Sequence, residues 1–261
     1  MTFSIDQFRL DGKIAIVTGA GGRGNSIGRA YAMGLAAAGA AVVVADLNAE
    51  GAKRVCDEIV AAQGKAIAVP VDITDHRSVA KMADATVKAF GGVDILVNNA
   101  ALMVELTHTA VIDVPIDDWN RTMAVNLTGA LNCAQAIVPL MRKRGGGKIV
   151  NQISGGAFPA MSIYGISKLA LVGLTTTLAR QLGQDKINVN AIAPGNTMSD
   201  AGRLLTPDNS PFVKFLEATV ALRARGEPDE LVGTLLLLCS SAGDWISGQV
   251  IHVDGGWVLR P

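Results

Sequence analysis

The chain has 261 residues, near the upper size that one hydrophobic core organises, so one large domain is the first expectation and two small ones the second. Apolar residues at 49% and charged residues at 18% exclude intrinsic disorder, and 23 Lys plus Arg against 23 Asp plus Glu leave no electrostatic footprint for nucleic acid or anionic lipid. The longest apolar run, Leu35 to Ala45, is broken by Gly39, and Met1 to Leu10 carries Asp6 and Arg9 with no signal-peptide core, so the expectation is a cytosolic protein with no membrane partner.

The elements follow in alternation. Lys13 to Thr18 is a short β-branched run before a glycine-rich turn, and Arg29 to Gly39 reads as an Ala-rich helix closed by glycine. Strands are expected at Ala41 to Asp46, Lys65 to Val71 and Val93 to Asn98, with helices at Ala49 to Gln63 and Asp75 to Phe90. Pro115 opens a helical stretch to about residue 144, followed by a strand at Gly147 to Ile153 and a helix at Ile163 to Leu182. Ile187 to Ala193 is a strand, Glu227 to Ser240 a helix and Gly248 to Val253 a last strand. Strands apolar on both faces belong in a parallel sheet covered by helices. No linker divides the chain, which reads as one domain over residues 1–261, and 197–225, with Pro207 and Pro211, interrupts the alternation as a binding loop or lid would.

The turn Thr18-Gly-Ala-Gly-Gly-Arg-Gly-Asn-Ser-Ile-Gly28 leaves a strand and enters a helix. Glycine lets backbone approach a pyrophosphate, and the helix N-terminus supplies N–H donors and a positive dipole end. Asp46 ends the next strand, eighteen residues after Gly28, near the spacing of about 20 for an acid that binds a ribose hydroxyl. Strand, turn, helix, strand and acid in that order point to a dinucleotide. The acid can accept from a ribose 2′-hydroxyl and repels a 2′-phosphate, which favours NAD over NADP.

Five separated signatures then meet in one chain: Thr18-Gly19 with Ile27-Gly28; Asn98-Asn-Ala-Ala101; Asn126 within Val-Asn-Leu-Thr-Gly129; Tyr164-x-x-x-Lys168 after Ser154; and Pro194-Gly195. With the ending Ser247 to Gly256, the chain resembles the short-chain dehydrogenase/reductase family over Leu10 to Arg260. The resemblance implies a single Rossmann-type, doubly wound α/β domain with a seven-stranded parallel sheet flanked by helices, in order 3-2-1-4-5-6-7. It implies a homotetramer, with the segment Val250 to Trp257 suited to a buried subunit contact. Cofactor contacts are implied at Gly19, Ser26, Ile27, Gly28, Asp46, Leu47, Asp72, Ile73, Asn98, Asn99, Ala100, Tyr164, Lys168, Pro194, Gly195 and Thr197.

Two departures stand out. The segment between Gly19 and Gly28 is three residues longer than the family's, closer in length to the related enoyl reductases, and it puts Ser26 at the second-glycine position. Those enzymes space their tyrosine and lysine seven apart, against four here. Ser154 precedes Tyr164 by ten residues rather than about thirteen. The strand Lys148 to Ile153 anchors Ser154 as the family's serine, while Ser162 is the rival and fits a helix cap. Ala101 replaces the usual glycine, and Arg23, in the lengthened turn, is where the family sometimes binds the extra phosphate of NADP.

Tyr164 and Lys168, four apart on a helix, share one face. A free phenol has pKa near 10, and a nearby ammonium favours phenolate and brings Tyr164 toward the working range of a general acid/base. As in the family, Lys168 would also hold the nicotinamide ribose, Ser154 the substrate oxygen, and Asn126 a water in a proton relay. The reaction expected is reversible hydride transfer between NAD and a secondary alcohol or ketone. The rivals are an NAD(P)H-dependent 3-oxoacyl thioester reductase and a non-catalytic NAD-sensing regulator. Met103, Phe158, Met161, Met198, Leu204, Leu205, Phe212, Phe215 and Leu216 suggest an apolar, cyclic or aromatic substrate, with Arg203 and Lys214 the nearby cations. His76, His108 and His252, like Cys56, Cys133 and Cys239, are scattered, so neither a metal site nor a disulfide framework is expected.

Overall fold

The computed structural model describes residues 4–259 except 23, 105, 107–109 and 224, so Arg23 and His108 lie outside the described residues. In chain order the elements are β1 (Ile14–Thr18), α1 (Ile27–Ala37), β2 (Ala41–Asp46), α2 (Ala49–Ala61), β3 (Lys65–Pro70), α3 (His76–Phe90), β4 (Ile95–Asn98), α4 (Ile116–Met123), α5 (Gly129–Lys143), β5 (Gly147–Gln152), α6 (Ile163–Leu182), β6 (Ile187–Pro194), α7 (Asp200–Leu205), α8 (Pro211–Thr219), α9 (Val232–Cys239) and β7 (Val250–Val253). The seven strands form one sheet in the order β3-β2-β1-β4-β5-β6-β7, all pairs parallel. The chain winds outward from β1 to one edge, returns, and continues to the other. The reversal between β1 and β4 leaves a crevice at the carboxyl ends of the strands, where open α/β sheets bind ligands.

Alternation along the strands sorts the core into two layers. Ala15, Val17, Val42 and Val44 face α1, α2 and α9, packing on Tyr31, Leu35, Val55, Ile59 and Leu235. Ile16, Val43 and Leu96 face α3 and α5, packing on Met82, Cys133, Ile137 and Met141. Helix starts are capped by short polar side chains: Ser26 for α1, Asn48 for α2, Asp75 for α3 and Ser162 for α6. Gly91, at φ +93°, takes the left-handed conformation that closes α3.

Two stretches differ from the sequence expectation. The helix expected from Pro115 to about residue 144 is broken in register by a π-helical segment, Ala124–Thr128, with Asn126 at its middle. Such segments have no pattern of their own and concentrate at functional sites. The expected loop 197–225 contains α7 and α8. Its prolines read as breakers, but Pro211 occupies the first turn of α8 behind the cap Ser210, and Ser199 caps α7.

Candidate active site

A cavity of about 880 Å³ opens at the carboxyl ends of the strands. Gly19, Gly22 and Ser26 to Gly28 line one side, and Asp46, Leu47, Asn48, Asp72 and Ile73 line its outer end. Asn99 to Val104 form another side, and Ser154, Tyr164, Lys168, Pro194 to Thr197, Leu205, Phe212 and Trp257 complete the walls.

The glycine turn is held by backbone contacts that exclude side chains. Gly19 has φ +67°, and a Cβ there would lie 2.6 Å from the Ala100 Cα. At Gly28 an added Cβ would lie 2.6 Å from the Asn99 amide. That amide donates to the carbonyls of Thr18 and Gly19 at 2.9 and 3.0 Å, tying β4 to the turn. Asp46 closes the turn from the other side: Oδ2 accepts from Gly21 N at 2.8 Å and Oδ1 from Asn48 N at 2.8 Å. Each oxygen keeps a lone pair for a ligand hydroxyl. Ser26 Oγ accepts from Arg29 N at 3.2 Å, so the serine at the second-glycine position caps α1. These close approaches, the N-terminus of α1 and an acid at the outer end fit a nicotinamide dinucleotide, which Gly19, Gly28, Asp46, Asn99 and Thr197 would hold.

At the inner end, Ser154 and Tyr164 line the cavity together, and Ser154 Oγ accepts from Gly156 N at 3.1 Å. Lys168, buried at 1% exposure, donates from Nζ to the Gln152 carbonyl at 2.8 Å and sits 5.7 Å from the Tyr164 ring centre. Gln152 is itself held, since its Oε1 accepts from the fully buried Tyr31 hydroxyl at 2.7 Å. Burial pushes the Tyr164 phenol up to about 12, opposed by the Ser154 hydroxyl, and pushes the Lys168 amine down to about 7. Sequence spacing pointed to a phenol lowered by its lysine. Here the cost of desolvating charge dominates for both groups. Ser162 accepts from Gly165 N at 3.1 Å as the cap of α6, so the geometry puts Ser154 at Tyr164 and Ser162 away from it.

Two expected site residues do not face the cavity. Asn98, 5% exposed, turns into the core, where its amide donates to Asn151 Oδ1 at 2.9 Å and to the Ala130 carbonyl. Its side chain is thus turned away from the cavity that Asn99 and Ala100, just beyond β4, line. Asn126, 1% exposed, accepts from Leu102 N at 2.7 Å and donates to Leu102 O and Ser167 Oγ, each at 3.0 Å. Its side chain clamps the cavity wall at Leu102. Ser167 Oγ in turn donates to the Tyr164 carbonyl at 2.7 Å, so Asn126 reaches the site through the residues it positions.

Of the apolar residues expected around the substrate, Met103, Leu205 and Phe212 line the cavity. Met161, Leu204 and Phe215 are exposed, Leu216 is core, Phe158 packs on His252 at 5.0 Å between ring centres, and Met198 lies outside the lining. Arg203 and Lys214 do not line it either. Trp257, expected in a subunit contact, forms a wall of the cavity with Phe212, the rings meeting edge to face at 6.0 Å. Sequence carried one signal for it: Trp257 follows Gly255 and Gly256, both at positive φ, which turn the chain back from β7. Among the described residues no group of three or more His, Cys, Asp or Glu could hold a metal ion.

A family model described as enoyl-(acyl carrier protein) reductase matches residues 22–258. With the fold and the Tyr164/Lys168 pair, this places the chain in the short-chain dehydrogenase/reductase family, and it is an NAD(P)-dependent oxidoreductase acting on CH–OH groups. It is similar to an uncharacterised oxidoreductase of Mycobacterium tuberculosis, 48% identical over 96% of this chain and 99% of that protein. It is also similar to 7α-hydroxysteroid dehydrogenase of Escherichia coli, 39% identical over 98% of each, and to a 3-oxoacyl-[acyl-carrier-protein] reductase of Synechocystis, 34% identical over 96% of this chain and 98% of that protein. Among solved structures, 7α-hydroxysteroid dehydrogenase complexed with NADH and 7-oxo glycochenodeoxycholic acid superposes with TM-score 0.90, at 38% identity covering 98% of each chain. A gluconate 5-dehydrogenase of Burkholderia cenocepacia in complex with NADP and tartrate gives 0.88, at 35% identity covering 97% of each.

Proposed function

We propose that this enzyme interconverts an apolar cyclic secondary alcohol and its ketone, with NAD as the preferred cofactor, Tyr164 as acid/base and residues 197–225 as the lid. The observation that carries the reading is that Ser154, Tyr164 and buried Lys168 line the same cavity as the glycine turn. When bound, the nicotinamide supplies or accepts the hydride. The chain's own residues handle the proton. Tyr164 Oη gives it to the carbonyl oxygen in reduction, or takes it from the alcohol in oxidation. Ser154 holds that oxygen, and the carbonyl of Gln152 holds Lys168 in place below the ring. Asn126 acts as a positioning residue through Leu102 and Ser167.

Asp46 and Asp72 at the outer end support NAD, and Lys168 is the only cation among the described lining residues. The same scarcity of positive charge supports a neutral substrate over an acyl carrier. Leu102, Met103, Val104, Leu205, Phe212 and Trp257 support a flat apolar ring system, and the likeness to a hydroxysteroid dehydrogenase supports a steroid nucleus. Three free cysteines fit a reducing compartment such as the cytoplasm, with Cys133 and Cys239 buried and their thiols pushed up to about 12. Exposed Ile112, Ile116 and Trp245 fit the homotetramer, which light scattering tests. The deciding experiment is turnover of steroid, monocyclic and open-chain alcohols and ketones with each dinucleotide. Steroid or other fused-ring turnover with NAD is expected, and turnover of 3-oxoacyl thioesters alone would overturn the reading.

A further inference from the structure

Asn25, in the lengthened glycine turn, does not hang free over the cavity. Asn25 N donates to Asp200 Oδ2 at 2.9 Å, Asp200 N donates back to Asn25 O at 2.8 Å, and Asn25 Nδ2 donates to Met198 O at 3.2 Å. Asp200 begins α7, the first helix of the lid, and lines the cavity together with the cap Ser199 and the next residues Ala201 and Gly202. Gly24 makes the approach possible: it has φ +136°, and a Cβ there would lie 2.8 Å from the Asp200 carboxylate. The turn is fixed on the other side by Asp46 and by Arg54, whose Nη2 donates to the Gly22 carbonyl at 2.7 Å. The lid base is fixed as well, since Met198 N donates to the Gly226 carbonyl at 2.8 Å and Arg225 bonds both Asn196 and Asp208. One edge of the cavity thus runs from β1 through the turn, across three hydrogen bonds, and into the lid that follows β6.

We propose that Asn25 and Asp200 are positioning residues that latch the lid to the lengthened glycine turn across the dinucleotide site, so that cofactor release requires the latch to open. This rests on the reading of the cavity as a dinucleotide site. A ligand held between the turn and α7 is bracketed on both sides. The latch bonds are few and partly exposed, so they open readily, as a gate must. Opening costs no core packing, because neither Asn25 nor Asp200 is part of the buried clusters. The consequence is kinetic: a looser latch raises the release rate of cofactor without changing the groups around Tyr164.

The test uses the full-length enzyme and three variants: Asp200→Ala removes the carboxylate acceptor, Asn25→Ala removes the bond to Met198, and Asp200→Asn keeps an acceptor oxygen while removing the charge. Amide hydrogen exchange at Asn25 and Asp200 without nucleotide reports the latch, and stopped-flow fluorescence of NADH release reports its consequence. Asp200→Ala and Asn25→Ala should each exchange faster and release NADH about tenfold faster, equivalent to about 1.4 kcal/mol. Their KM for the dinucleotide should rise while kcat does not fall, and Asp200→Asn should stay near wild type. Unchanged exchange in both alanine variants would overturn the latch, and faster exchange with unchanged NADH release would overturn its gating role. An Asp200→Asn as fast as Asp200→Ala would show that charge, rather than the bond, matters. Wild type that fails to bind NADH, with exchange still responding, would overturn the cofactor reading and leave the latch standing.

Discussion

The two ends of the cavity are built by different means. At the outer end backbone sets the shape: Gly19 and Gly28 permit approaches that any Cβ would obstruct, and Asp46, Asn48 and Asn99 hold main-chain groups of the turn. At the other end the walls are side chains from distant segments, Met103 after β4, Leu205 in α7, Phe212 in α8 and Trp257 after β7. A backbone-defined site tolerates little substitution and binds one chemical class. A side-chain-defined site changes its occupant with each residue. Between them Tyr164, Ser154 and Lys168 belong to neither pattern: Tyr164 and Lys168 are set by the first turns of α6, Lys168 by burial as well, and Ser154 by the end of β5.

The division can be broken at its centre. Tyr164→Phe should retain the fold and cofactor binding and lose ~10²–10⁴-fold in turnover, the usual contribution of a positioned acid/base. Equal loss of cofactor affinity, read by NADH titration, would assign the residue to the walls instead. At the nucleotide end, kcat/KM should favour NAD over NADP on the order of 10²-fold, from a like-charge penalty of roughly 4 kcal/mol at 4 Å and effective dielectric 20, reduced by screening and movement. Asp46→Ser should narrow that ratio. It should also weaken NAD itself, since Gly21 N and Asn48 N both lose an acceptor. A wild type that prefers NADP would reverse the assignment and turn attention to Arg23.

Smaller effects sharpen the boundary. Ser154→Ala should lower kcat/KM by ~1.5–3 kcal/mol, the range for a hydrogen bond to a charged group, whereas Ser162→Ala should cost about 1 kcal/mol of stability as a lost cap and leave catalysis alone. Parallel denaturant melts and kinetics separate the two, and the opposite pattern would move the substrate contact to Ser162. Trp257→Ala should raise KM for a fused-ring substrate about tenfold, near 1.4 kcal/mol, with KM for the dinucleotide unchanged. A shift in both would show that the two ends are not independent.

The smallest step is per unit of pH. With the Tyr164 phenol pushed up to about 12 by burial, the deprotonated fraction needed for alcohol oxidation grows as pH rises. kcat/KM for oxidation should therefore climb about tenfold per unit through pH 7–9. A plateau reached at pH 7 would mean that the phenol is lowered in the cofactor complex, as the sequence spacing alone suggested.

The parts legible in the sequence were those whose requirement is local. Apolar runs bounded by glycine gave the strands, and the cap-forming residues Ser26, Asn48, Asp75 and Ser162 stand where helices begin. Tyr164 and Lys168 share a face through helical spacing alone. Helices α7 and α8 were missed although Ser199 and Ser210-Pro211 carried start signals, because two prolines and no apolar period outweighed them. The π-helical segment around Asn126 was invisible, since one extra residue per turn leaves no mark in an otherwise helical run.

What the sequence by itself determined is the family, through its separated motifs and, by resemblance, the order of the sheet, and the placing of Tyr164 and Lys168 on one helix face, because motif and helical spacing are short-range patterns. Tertiary structure alone decided the rest. It turned Asn98 into the core and made Asn126 a clamp on Leu102. It brought Trp257 across to Phe212 and joined the lengthened turn to the lid at Asp200. It also set the proton affinities, for a phenolate and an ammonium that would favour each other in water are governed instead by desolvation at the closed inner end of the cavity. Contacts between residues 24 to 175 positions apart, and the dielectric around them, exist only when the chain has closed on itself.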